Sequence, residues 1–213
     1  MDRSQEFMFG IPWIMSFFHQ DWRMDAATEV EAVADQLVEE LEPETVLLVR
    51  RDARLLLDGL LSDRITVLWE GCADEGKYFF RRGRVTDGAA WMREVIGVCD
   101  AWLSRRTDTP ALCDADRYEG TELASEVLTA VEEFTSLLDR EVVDALAECA
   151  RCCTPDLALR LLLRALPMKS ASLSPNYLYL SEGQYERLQA LGKDFHYGEY
   201  VVSAIDYLVE PGT

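Results

Sequence analysis

Apolar residues recur along this chain at intervals of three and four, with little alternation of period two, and that spacing predicts helix after helix. Thr28 and Glu31 form a T-x-x-E capping box. Val30, Val33, Ala34, Leu37 and Leu41 then fall at helical spacing, with Glu29, Asp35, Glu39 and Glu40 on other faces, so an acidic helix is expected over 28–41. Pro43 suits the first turn of the next helix, predicted to reach about residue 61 with Val49, Ala53, Leu56, Leu57 and Leu60 inward. A shorter helical segment covers 65–69. Residues 71–86 interrupt the pattern. Gly71, Gly76 and Gly83 punctuate the run Lys77-Tyr78-Phe79-Phe80-Arg81-Arg82, read as a loop with some extended character. A helix is predicted again after Asp87, with Trp91, Val95, Val98 and Trp102 on one face, ending near Arg105 and Arg106, bases well placed at a C-terminus.

Residues 107–120 are polar, contain Pro110 and separate two helical blocks, so a linker is expected there between a first domain at 1–106 and a C-terminal helical region at 121–213. The second block opens with a helix over about 122–138, with Val127, Val131, Phe134 and Leu138 on one side. Residues 141–149 either continue it or form a separate helix. An apolar helix runs from Pro155 to near Pro167, and a loop rich in Ser, Pro and Asn follows through Leu180. Ser181 and Gln184 form a second capping box ahead of Tyr185, Leu188 and Leu191, and a last helix is expected over 197–209. The predicted fold class is all-α: a multi-helix bundle, with two packed helical subdomains as one form it can take.

Of the 213 residues 49% are hydrophobic, enough for a packed core without disulfides or metal. No run approaches the roughly 20 apolar residues of a membrane helix. Residues 7–18 are apolar but short, and lack the basic flank and small-residue cleavage site of a signal peptide, so a cytoplasmic location and no membrane partner are expected. Charge changes the picture more. Acids outnumber bases by 39 to 21, a net −18, and the excess is spread: 21 acids to 13 bases over 1–110, and 18 to 8 over 111–213. Such a field repels nucleic acid and steers basic partners inward; solubility alone is the plainer reading of it.

Candidate chemistry is sparse. Cys149, Cys152 and Cys153 form a C-x-x-C-C cluster, but no second ligand pair accompanies it, and Cys72, Cys99 and Cys113 are scattered. Buried free thiols in a reducing cytosol are expected, with no metal and no cofactor. His19 and Asp21 have the residue types of an acid–base pair, yet no nucleophile motif stands nearby, and no catalytic signature occurs along the chain. They are read as fixing the turn before the acidic helix, with Trp22 packing on Phe17 or Phe18. The run 77–84 has the composition of a small nucleic-acid platform. Inside so acidic a chain it is read instead as a salt-bridge partner for nearby acids. Tyrosines 177, 179, 185, 197, 200 and 207 are read either as binding-patch residues or as core residues with a surface tip.

The segment Phe17-Phe18-His19-Gln20-Asp21-Trp22 resembles the opening signature of immunity proteins from contact-dependent growth inhibition systems. The resemblance extends over roughly 5–105: an acidic helix at 28–41, a leucine-rich helix at 47–61, a glycine turn at 71–76, and a tryptophan-bearing helix opening Gly88-Ala89-Ala90-Trp91-Met92. Residues 111–213 fall outside it. The basic 71–87 stretch and Cys72 depart from the family pattern. The resemblance implies a protein without catalysis that binds and neutralises a cognate toxin domain, often a basic nuclease, by occlusion. The candidate partner-facing carboxylates are Glu29, Asp35, Glu39, Glu40, Glu42 and Glu44, with Glu70, Asp74 and Glu75 as a possible extension; a merely solvated face is the plain alternative. An acidic adaptor for an unrelated basic protein, or an enzyme using His19 or His196, are the other functions the sequence leaves open.

Overall fold

In the computed structural model the chain is described over residues 3–107, 110–171 and 179–210. The apolar opening enters the core directly. Gly10, at φ 65°, turns the chain into a first short helix, α1 (Ile11–Met15), where Pro12 occupies the first turn. A Cβ at Gly10 would lie 1.8 Å from Asp52 Oδ2, so both the backbone angle and the close approach require glycine. Next come α2 (Trp22–Asp25), α3 (Glu29–Gln36), α4 (Pro43–Gly59) and α5 (Ser62–Cys72). After them lie α6 (Phe79–Arg82), α7 (Gly88–Leu103), α8 (Ala124–Glu133) and α9 (Arg140–Cys152). The last three are α10 (Pro155–Ala171), α11 (Glu182–Asp194) and α12 (Glu199–Ser203). The fold is all-α, 66% helical, with no strand among the described residues and a single parallel bridge between Leu180 and Val209.

Helix α10 sits at the centre, packed by α5, α8 and α9, and by α1 at the N-terminal end. It is buried on every side: Leu157, Leu159, Leu161, Leu162 and Leu166 are all sealed from solvent, and Asp156 and Arg160 are buried with them. A helix that presents no face to water belongs in the interior. On the other side α7 packs along α4 and α5 and receives α3. The contacts of α1, α4 and α5 with α9 and α10 cross residues 107–120, and the buried hydrophobic side chains form one continuous cluster.

Several boundaries differ from expectation, each for a local reason. Helix α3 stops at Gln36 rather than 41. Pro43 has no N–H for the Glu39 carbonyl and holds Glu42 extended at ψ 131°, while the carbonyls of Val38, Glu39 and Leu41 are taken by side chains of and just after α7. Residues 71–86 contain no extended segment: a 3-10 turn (Gly76–Tyr78) leads into α6 because Phe79 is drawn into the core. The 122–138 helix ends at Glu133, where buried Phe134 starts a turn whose carbonyl accepts from the N–H of Leu137 and Leu138, and α9 is separate. Helix α10 continues through Pro167 to Ala171, since burial of its apolar surface outweighs one lost hydrogen bond. The 197–209 segment is broken into α12 and a 3-10 turn (Asp206–Leu208). His196 stands at φ 57°, and the Leu208 carbonyl and Glu210 N–H bond to Leu180. The 65–69 segment is the middle of the longer α5. The expected 170–180 loop lies largely outside the described residues, as does Tyr177.

Candidate functional site

The six-residue signature builds the core. Phe18 is fully buried and sits edge-on to four rings: Trp22 at 5.3 Å, Trp69 at 5.6 Å, Phe79 at 5.0 Å and Trp91 at 5.7 Å. Such edge-to-face pairs each add roughly 0.5–1.5 kcal/mol beyond area burial. Phe17 turns the other way and packs on Trp13 at 4.8 Å. His19, Gln20 and Asp21 are exposed, and His19 Nδ1 accepts the Asp21 N–H at 3.3 Å, closing the turn into α2. The signature thus joins α1, α2, α5, α6 and α7 through one ring, Phe18.

The carboxylates singled out in the sequence separate into three groups. Glu39, Glu40 and Glu42 are exposed on the connection from α3 to α4, with exposed Asp35 in the last turn of α3 and half-buried Glu44 in the first turn of α4. The connection's backbone is held from behind. Trp102 Nε1 donates to the Val38 carbonyl at 3.1 Å, and Arg106 donates to those of Glu39 and Leu41 at 2.5 and 3.0 Å. The Arg106 guanidinium lies 4.1 Å over the Trp102 ring, so its position is fixed by a cation–π contact as well. Val38, 48% exposed, gives the acidic connection an apolar centre. The second group is one residue: Glu29 is not on the surface. It is 2% exposed, 3.5 Å from Arg23 Nη2, and accepts the Arg84 N–H at 3.4 Å, which removes it from any docking face. In the third group Asp74 pairs with Arg164 at 2.8 Å. Burial raises the Glu70 carboxyl above its usual range against the opposing pull of Arg81. Glu75 is exposed at φ 51°. Of these three only Glu75 is free to face outward.

In the aromatic run 77–84 Phe79 is core, Phe80 half-buried and Tyr78 exposed. Cys72, Cys99 and Cys149 are buried, Cys113 and Cys153 half-buried, and Cys152 exposed. Burial pushes the thiols of Cys72 and Cys99 up to about 12. The Cys149 thiol is raised first by its hydrogen bond with Cys153 and then by burial. Among the described residues no group of three or more His, Cys, Asp and Glu side chains converges as a metal site would require. His196, like His19, is exposed. Tyr197 is half-buried against the core and its hydroxyl donates to Asp156; Tyr185 is half-buried too, whereas Tyr179, Tyr200 and Tyr207 are exposed.

A buried charge network went unread in the sequence. Arg160 donates to Asp52 from Nη1 at 2.6 Å and Nη2 at 2.9 Å, and to Asp156 Oδ2 from Nη2 at 2.8 Å. Arg3 Nη2 meets the other Asp156 oxygen at 2.7 Å, and Asp52 also accepts the Ile11 N–H at 3.0 Å. All four ionised side chains are at most 2% exposed, and the Phe9 ring lies 4.6 Å from the Arg160 guanidinium. Burial works against the charge on Arg160, but the two carboxylates outweigh it and lift its pKa well above the usual arginine value. The signal was present: Asp156, Arg160 and Arg164 recur every four residues in an otherwise apolar stretch that meets no further charge before Lys169. The two cations and two anions pair with one another, apart from Arg3 Nη1, which has no hydrogen-bond partner, and the network ties α1, α4 and α10 together.

No family model, no curated protein and no solved structure matches this chain. No described helix is long and apolar enough to cross a membrane.

Proposed function

We propose that this chain is an immunity protein of the contact-dependent growth inhibition type, which binds a basic toxin domain stoichiometrically and occludes it. The observation that carries the proposal is the acidic connection between α3 and α4: Glu39, Glu40 and Glu42 project from a backbone held by Arg106 and Trp102, with Asp35 just before it in the last turn of α3. A backbone already fixed loses little conformational freedom on docking, and clustered carboxylates around exposed Val38 suit a cationic surface with an apolar centre. The net charge of −18 extends the attraction beyond contact range and raises the encounter rate at low salt. The resemblance of residues 17–22 supplies the functional class, while Phe18 and Trp22 within it are spent on the core.

The test is a charge reversal. Glu39→Lys with Glu40→Lys alters two exposed turn residues, so stability stays within about 0.5 kcal/mol. Affinity for the toxin domain falls at least ten-fold at about 0.15 M salt, since close interfacial charge pairs couple by roughly 1.5–7 kcal/mol. Calorimetry on the purified pair reads the change. An unaltered Kd removes the 35–44 connection from the interface.

A further inference from the structure

Beneath the N-terminal segment lies a partly enclosed cavity of about 160 Å3, bounded by Phe9, Pro12, Leu163, Pro167 and Ile205, with Arg160 and Arg164 among its walls. Arg160 is committed to Asp52 and Asp156. Arg164 is not. Its side chain is 8% exposed, its Nε has no hydrogen-bond partner, and its Nη2 stands 2.8 Å from Asp74 without the alignment of a hydrogen bond. A buried guanidinium donor left unpaired is costly, and an acceptor delivered to it offsets that cost. The remaining walls are mostly apolar, and a cavity of about 150 Å3 with apolar walls holds a benzene ring.

We infer that this cavity is a binding site for a small monocarboxylate with a compact apolar body, its carboxylate meeting Arg164 Nε and its body lying between Phe9, Leu163 and Pro167. Asp74, 27% exposed, competes with the ligand for the same guanidinium and sets its affinity. The site stands apart from the acidic connection in both residues and chemistry: it takes an anion where that surface takes a cation.

The experiment titrates the isotope-labelled full chain with sodium benzoate, and with benzyl alcohol as a neutral molecule of like size, following amide shifts by NMR. Saturable benzoate shifts at residues lining the cavity are expected, with benzyl alcohol at least ten-fold weaker. Arg164→Met abolishes the preference for the anion. Ala204→Phe, at an exposed position on the cavity wall, blocks both molecules without touching the core. Asp74→Asn tightens benzoate several-fold. If Arg164→Met does not fold, the other two variants carry the test. Absence of saturable binding, equal affinity for the neutral molecule, or benzoate binding unaffected by Ala204→Phe each overturns the inference.

Discussion

Replacing Arg160 with Met removes the cation that two buried carboxylates share. The stem is kept, so the change is mainly one of charge and hydrogen bonding. Four charge-assisted hydrogen bonds at 2.6, 2.9, 2.8 and 3.2 Å are lost, along with a bond to the Phe9 carbonyl at 3.3 Å. Asp156 still has Arg3 at 2.7 Å, but Asp52 keeps only the Ile11 N–H at 3.0 Å. A fully buried carboxylate without a countercharge is the expensive outcome, and breaking such a pair costs about 3–5 kcal/mol. That is a large part of the roughly 5–15 kcal/mol that holds a domain folded. The midpoint of thermal unfolding should fall by roughly 6 to 20 °C. Adding Asp52→Asn removes the stranded charge and keeps an acceptor for Ile11, so the double variant should be more stable than Arg160→Met by about 0.5–3 kcal/mol. Urea unfolding followed by far-UV circular dichroism measures both. A single variant within about 1 kcal/mol of the parent, or a double variant no better than the single, would refute the reading of this network as mutually neutralised.

Three further perturbations probe the same frame. Phe18→Ala empties the centre of the ring cluster and should cost about 3–5 kcal/mol, far more than Phe17→Ala at its half-buried neighbour; equal costs would displace Phe18 from its central role. Gly10→Ala places a Cβ against Asp52 at a φ of 65° and should destabilise by more than about 1 kcal/mol in the same urea assay; a neutral result contradicts the close approach. The thiols of Cys72 and Cys99 rise from 9.0 to about 12 on folding. Their contribution to stability is therefore complete below pH 9.0 and declines as pH climbs toward 12. The urea midpoint should fall over that window, and less steeply in the Cys72→Ala, Cys99→Ala variant; identical slopes would show the thiols are not buried as described.

Local signals in the sequence carried most of the helices. The capping box at Ser181 and Gln184 closes α11 reciprocally, Thr28 accepts the Glu31 N–H, and Pro43 opens α4, because these features depend only on residues within one turn. Where long-range contacts decide, local pattern fails. The acidic helix was extended to 41 because nothing near Val38 reveals that Trp102 and Arg106, more than sixty residues on, take its carbonyls. Phe79 looked like a loop residue because its ring partners lie at positions 18, 69 and 91. Glu29 shared the surface pattern of its neighbours, and only the approach of Arg84 buries it. The charge network joins residues 3, 52, 156 and 160, and composition does not reveal that they meet. The exposed acids of the 35–44 connection were legible because exposure is the ordinary state of a charged residue.

The central claim, neutralisation by binding, is tested most directly by co-expression with the C-terminal domain of the protein encoded immediately upstream. The account predicts that this domain alone stops growth, that the chain restores growth and co-purifies with it at equal stoichiometry, and that Glu39→Lys with Glu40→Lys reduces both effects. A domain without toxicity, or growth restored with no complex recovered, would contradict it.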